Sequence, residues 1–500
     1  MTVRARLGST PAGYELTLGR VLAIYGGLMV ALMLTALDQT VISTVLPRIV
    51  ADLGGLSLYS WAFTSYMLTS AVTVPLYGKL GDHYGRRILF VFAISVFVVS
   101  SVLCALSQNM VELVVFRGLQ GVGAGALFPL ALATVGDIVP LRERGRYHGL
   151  LGAGFAAGSI AGPLAGGFIA DHASWRWVFY LNVPLGASAL ALILATMPGR
   201  RPGRSHSIDW VGAAVLAAAT TALLFAVVSG GAQYSWPSAP IVGSFVAAGL
   251  LAATFVIVER RVPEPILPFQ YVRIKTVRAS LVAIGLAAMA MYALLSYVPL
   301  FVETVIGTSA TSSGIALMPL LVGDVFASFL TGQWIARTGR LRPTALVGPL
   351  AVTTGSLLLW RMNIATTTVR AALDMMVAGV GFGLMMQVFV MSVQNAVPLA
   401  DIGSATALTQ SARAMGSTFG VAIMGVMINQ RLPGRFADAL NGVNARSLPL
   451  DVRIALEHAI RPGFLVTACV AAAVFVTALV GISEVPLRRT LQDEPVQEAF

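Results

Sequence analysis

Apolar runs of about 20 residues, the length a helix needs to cross a bilayer's hydrocarbon core, recur along the chain between short polar breaks. Fourteen stretches meet or approach that length: 22–46, 60–79, 88–107, 111–136, 147–170, 176–197, 209–229, 240–258, 279–302, 312–335, 343–360, 371–394, 402–429 and 463–482. The pattern predicts an all-α integral membrane protein with fourteen transmembrane helices. Its weakest members are 176–197, which opens on Arg176, and the short 343–360. The first run is longer than the apolar core of a cleavable signal peptide, about 7–15 residues, so it reads as a retained span. The one sizeable external piece is 430–462, where Arg453 to His458 is patterned as a short amphipathic helix on the outer surface.

Composition agrees with this reading. The chain is 57% hydrophobic and 11% charged, with mean hydropathy +0.81, whereas soluble chains carry about 25% charged residues. A net charge of +11 raises nucleic acid as a partner. The basic residues, however, sit in short runs between apolar stretches, and all but Lys79 and Lys275 are Arg. Of the 33, 22 fall in loops on the N-terminal side, among them Lys79/Arg86/Arg87, Arg142/Arg144/Arg146, Arg200/Arg201/Arg204, Arg260/Arg261/Arg273/Lys275/Arg278 and Arg337/Arg340/Arg342. The positive-inside rule then places both termini in the cytoplasm and makes the lipid bilayer, not nucleic acid, the partner.

No enzyme chemistry emerges. Cys104 and Cys469 each lie inside an apolar segment and read as packing residues. The five histidines lie in or near loops without paired ligand spacing, so no metal site is expected. There is no phosphate-binding G-x-x-x-x-G-K-[ST] loop, and Gly379 to Gly383 falls inside a span. No cofactor is expected beyond a proton gradient.

Charges within spans are costly, about 3 kcal/mol each on insertion scales, and mark protein interiors or water-filled pathways. Asp38 lies two-thirds along the first span. It is either a buried carboxyl that binds and releases a proton as access alternates or an end-of-helix acid in an outer vestibule. Arg117 stands early in the fourth span and cannot deprotonate. It either sets the charge beside such an acid or snorkels to the outer interface. Asp324 is a second mid-span acid, suited to protons or cationic substrates. Asp374 and Glu303 read as membrane-edge residues. Arg413 is in the inner half of the thirteenth span, with structural and functional roles both open.

Three runs carry a family resemblance. Gly78-Lys79-Leu80-Gly81-Asp82-His83-Tyr84-Gly85-Arg86-Arg87, between the second and third spans, resembles the G-x-L-G-D-x-x-G-R-R loop signature of the major facilitator superfamily. Arg117 to Gly125 is similar to that family's fourth-helix motif. Gly154 to Gly167, with Gly154, Gly158, Gly162, Pro163, Gly166 and Gly167, resembles its fifth-helix antiporter motif, although a close-packed glycine helix has the same composition. The surroundings of Asp38 and the run Trp175 to Pro184 look like the fourteen-span drug:proton antiporter branch. One departure is Ser43/Thr44 where that branch carries Asn in its first-helix motif.

The resemblance implies the major facilitator fold in a 6+2+6 arrangement: a cytoplasmic N-terminus at 1–21, a six-helix bundle over 22–200 and two linker helices over 201–275. A second bundle over 276–482 and a cytoplasmic tail at 483–500 complete it. It assigns proton coupling to Asp38 and Arg117, beside the second acid Asp324, and a cytoplasmic gate to Gly78, Gly81, Asp82, Gly85, Arg86 and Arg87. Candidate cavity residues are Gln39, Gln120, Met289, Tyr292, Met386, Gln387 and Arg413. The expected activity is proton-coupled export of lipophilic, cationic drugs by a monomer in the bacterial cytoplasmic membrane, by alternating access around a midplane site. Two alternatives stay open: export of one native product (a lipid, siderophore or antibiotic), or a non-transporting receptor or lipid-scrambling scaffold.

Overall fold

The computed structural model describes residues 17–138, 144–199, 210–230, 234–262, 269–398, 402–432 and 448–482. Among them no sheet forms, and fifteen α-helices follow one another. These are α1 (Leu18–Leu53), α2 (Tyr59–Tyr84), α3 (Arg86–Leu106), α4 (Met110–Ile138), α5 (Arg144–His172), α6 (Arg176–Tyr180), α7 (Asn182–Thr196) and α8 (Trp210–Ser229). There follow α9 (Ala239–Glu259), α10 (Lys275–Phe301), α11 (Ala310–Thr338), α12 (Arg342–Trp360), α13 (Thr368–Asn395), α14 (Ile402–Arg431) and α15 (Leu450–Gly481).

Local chemistry sets the ends. Ser309 and Thr367 cap α11 and α13, their hydroxyls accepting from the backbone N–H groups of Ser312 at 3.0 Å and Arg370 at 3.3 Å. Gly85 alone separates α2 from α3, at φ 90° that a side chain would strain. The predicted span 176–197 arrives as two helices, α6 and α7, broken at Leu181. Pro184 accounts for the break, because it has no N–H and its ring crowds the carbonyl of Tyr180. The neighbouring carbonyl of Phe179 accepts instead from Ser101 Oγ at 2.9 Å.

Taking α6 and α7 as one rod leaves fourteen, and twelve of these, among the described residues, are long and apolar enough to cross a membrane. The two that fall short are α2, which buries Ser60, Thr64 and Ser65 inside the protein, and α8, whose apolar stretch is Val211–Val227. The last helix also departs from expectation. It begins at Leu450, so the Arg453–His458 segment continues into the final span instead of lying apart on the outer surface. Its polar side chains are engaged by neighbouring loops, which a hydropathy count cannot register. Arg453 donates to the carbonyls of Val305 at 2.8 Å and Ile306 at 2.9 Å, and Glu457 accepts from the N–H of Ile364 at 3.0 Å. Glu303, expected at a membrane edge, is buried in the π-turn Val302–Ile306 and accepts from Ser313 Oγ at 2.7 Å. Of the predicted N-terminal segment 1–21, residues 18–21 already belong to α1, while 1–16, the predicted tail 483–500 and the middle of the predicted external loop lie outside the described residues.

The rods form two bundles. In the first, α1 packs on α5 and α7, and α4 packs on α2 and α3. In the second, α13 packs on α11 and α12, while α10 packs on α14 and α15. The bundles meet along α5/α11, α2/α14 and α1/α10. The α8–α9 pair rests on the α2/α14 seam, through Ala213 and Phe255 against Leu76, Leu281 and Leu408. Hydrogen bonds between bundles gather where α1 gives way to α2: Tyr59 Oη donates to the carbonyl of Ser296 at 2.9 Å, and Asn429 Nδ2 to that of Ser57 at 3.4 Å.

Candidate functional site

Asp38 and Arg117 meet in the interior of the first bundle, 3% and 1% exposed. Arg117 Nη1 donates to Asp38 Oδ2 at 2.6 Å and to Gln120 Oε1 at 2.7 Å. Three residues apart on α4, Arg117 and Gln120 share one helix face, so both reach α1. Gln120 Nε2 donates to Asp38 Oδ1 at 3.0 Å, and Asn182 Nδ2 donates to the same oxygen at 2.9 Å. Asn182 also donates to Ser101 Oγ at 2.9 Å. The guanidinium carbon of Arg117 stands 4.3 Å from the centre of the Tyr66 ring, and its Nε donates to the carbonyl of Ala62 at 3.3 Å. Cys104 Sγ is 3.9 Å from Gln120 Oε1.

This burial separates the readings that sequence left open. Asp38 is not in a vestibule and Arg117 does not snorkel. Gln120, expected on a cavity wall, is fully buried and belongs to the ion-pair cluster. Asn182, Ser101 and Tyr66 were not anticipated. The one usable signal was Asn182, an amide in an apolar run two residues before a proline.

The other candidates fall in three places. Gln39, next to Asp38, is half-buried and accepts from Tyr292 Oη at 2.9 Å, a bond from α1 to α10 across the bundle interface. Met289 and Met386 are half-buried, and Gln387 is exposed. Asp324 on α11 and Arg413 on α14 are half-buried in the second bundle; Asp324 feels the Arg413 charge, but no ion pair joins them among the described residues. Asp324 takes no part in the Asp38 cluster. Asp374, expected at an outer boundary, is buried on α13.

At the α2–α3 turn, Arg86 Nε and Nη2 grip the carboxylate of Asp137 at the end of α4, the second contact at 3.3 Å. Arg87 donates to the carbonyl of Leu194 at 2.7 Å. Gly81 lies under Leu130, where a Cβ would stand 2.9 Å from Cδ2. The surroundings of Gly78 and the side chain of Asp82 lie outside the described residues. Asp137 follows the apolar part of α4, so a search for charges within spans passed it over.

On α5, Gly154, Gly158, Gly162 and Gly166 recur every four residues and turn one face to α1. A Cβ at Gly158 would stand 3.0 Å from Met33 Cα, and one at Gly162 or Gly166 would stand 3.0 Å from the carbonyl of Leu37 or Val41. Gly167 faces the other bundle, where a Cβ would lie 2.7 Å from Thr311 Cα, and the carbonyl of Pro163 abuts Gly314 of α11.

Residues 28–421, which contain all of these clusters, match the family model described as Major Facilitator Superfamily. The chain belongs to the Major Facilitator Superfamily. Two relatives in Bacillus subtilis (strain 168) carry names that state an activity. Multidrug transporter protein MdtP is 35% identical over 83% of this chain and 76% of its own length. Multidrug resistance protein 3 is also 35% identical, over 83% of this chain and 81% of its own. Among solved structures, an inward-facing, unoccupied bacterial homolog of the human lysosomal transporter Spinster superposes with TM-score 0.66. It covers 92% of this chain and 96% of its own at 16% identity, a likeness of fold alone. This Major Facilitator Superfamily chain is therefore a multi-pass membrane transporter with the family's all-helical fold, not an enzyme.

Proposed function

We propose that the chain exports lipophilic, cationic small molecules in exchange for protons, by alternating access, from the bacterial cytoplasm. The observation that carries this reading is the buried Asp38–Arg117 pair, one residue from the Gln39–Tyr292 bond that joins the two bundles. A proton arriving at Asp38 cancels its charge and weakens its hold on Arg117. Arg117 does not then stand alone, because Gln120 Oε1, the Ala62 carbonyl and the Tyr66 ring already face it. These neutral partners offset part of the cost of leaving Arg117 without its counter-charge in low dielectric. Asp324 supplies a second acid in the opposite bundle that would balance a cationic substrate, and Met289, Tyr292, Met386 and Gln387 would line its path. The names of the two Bacillus relatives favour varied drugs as substrates.

In the same reading the chain has fourteen spans, both termini are cytoplasmic, and the α2–α3 turn with Arg86 and Asp137 forms the inner gate. The α2 helix has 26 residues, or about 39 Å at 1.5 Å per residue, enough to cross. Its lower hydropathy follows from facing protein instead of lipid. The test is proton movement in reconstituted vesicles on addition of a lipophilic cation. The wild-type chain should release lumenal protons, Asp38→Asn should not, and intact coupling in Asp38→Asn would refute the assignment. Efflux of no compound in a broad panel would move the reading to export of one native product.

A further inference from the structure

We infer that Asp171 is the positioning residue that holds the two bundles shut at the end where α1 gives way to α2; the inference rests on the alternating-access reading. Asp171 lies one residue before the end of α5, its side chain 9% exposed. Its Oδ2 accepts from the backbone N–H of Thr311 at 2.9 Å and from Thr311 Oγ1 at 2.6 Å. Thr311 is the second residue of α11, so a carboxylate of one bundle caps the first turn of a helix in the other. There the unpaired N–H groups and the helix dipole favour negative charge. Its Oδ1 accepts from Arg48 Nη2 at 3.1 Å, and Arg48 belongs to α1 in the same bundle as Asp171.

The two halves of this contact behave differently when the bundles part. Packed through the glycine face of α5, α1 and α5 move as one ridge, and the Arg48–Asp171 pair moves with them. The Asp171–Thr311 bonds cross the seam and must break. Asp171 then keeps a cation for a partner while open, so releasing the latch does not strand a charge. Asp38 rides on the same ridge, ten residues before Arg48, about 15 Å along the helix. A change at the buried pair can therefore reach the latch through one rigid body.

The test is the labelling rate of a cysteine at Ser60, on α2 beside Gly425 of α14 and 2% exposed, in detergent-solubilised full-length protein. The rate is measured with a maleimide, above the background of Cys104 and Cys469. Loss of two charge-assisted hydrogen bonds in Asp171→Ala should raise the rate by about tenfold or more. Thr311→Val, which keeps the backbone N–H, should raise it by a smaller factor and serves if Asp171→Ala folds poorly. Parent-like labelling in both Asp171→Ala and Thr311→Val would overturn the inference. Labelling needs neither gradient nor drug. Failure of drug-driven proton release with the labelling pattern intact would refute proton coupling and leave the latch standing.

Discussion

Removing the two charges of the Asp38–Arg117 pair one at a time should cost more than removing them together. Each is almost fully enclosed, so a single substitution leaves the partner ionised in low dielectric, a loss typically of about 3–5 kcal/mol. In Asp38→Asn the neighbours make matters worse. Arg117 donates to one carboxylate oxygen, and Gln120 and Asn182 both donate to the other. An amide at position 38 must point its NH2 at donors whichever way it turns. Arg117→Gln should cost less, because a stranded carboxylate can neutralise itself by taking up a proton and a guanidinium cannot. The double variant removes both charges, and a coupling energy of about 2–3 kcal/mol is expected. At roughly 2.1 cal/mol/K per residue, 500 residues give an unfolding entropy near 1 kcal/mol/K, so Asp38→Asn should lower the midpoint by about 3–5 °C. Tryptophan fluorescence during a thermal ramp in detergent reads all three variants. A double variant whose loss equals the sum of the singles would refute the claim that the pair is held as a unit, and transport should be absent in all three.

Arg86→Ala and Asp137→Ala should impair efflux to a similar extent and their double variant hardly more, by dye-efflux rates in a pump-deficient host; plainly additive losses would argue against a shared contact. Tyr292→Phe, which deletes the hydroxyl bond to Gln39, should weaken the closed state by about 1 kcal/mol and speed cysteine labelling at the bundle interface by roughly fivefold. Gly162→Leu places a side chain into Thr40 and the α1 backbone and should abolish folded yield by size-exclusion chromatography; a monodisperse protein would show that α5 can stand off from α1.

Much of the fold was legible because lipid imposes a simple length rule on each helix. The rods, the single-glycine turn at Gly85 and the small-residue face of α5 all follow from local pattern. What pattern could not supply was partnership. Asp38 and Arg117 stood out as costly charges, but they lie 79 positions apart and nothing local says that their helices touch. Gln120 went to the cavity wall because a polar residue beside a charged one has no direction in sequence. Asn182 gained its role from the break at Leu181, which depends on Pro184 three residues on. The final helix was begun too late because Arg453 and Glu457 count as polar in hydropathy, although neighbouring backbone already satisfies them.

The glycine face of α5 also bears on how this transporter can change. Glycine is the smallest residue, so every mutation at Gly158, Gly162 or Gly166 adds atoms where the α1 backbone already stands. That ridge has no neutral neighbours in sequence space, and losing either partner of the buried ion pair beside it should be costly. New binding preferences must therefore arise elsewhere. The flexible thioethers of Met289 and Met386, half-buried on α10 and α13, leave room for such drift. On the proposed function, the rigid ridge fixes how the molecule moves, and the thioether-bearing wall is where its cargo can evolve.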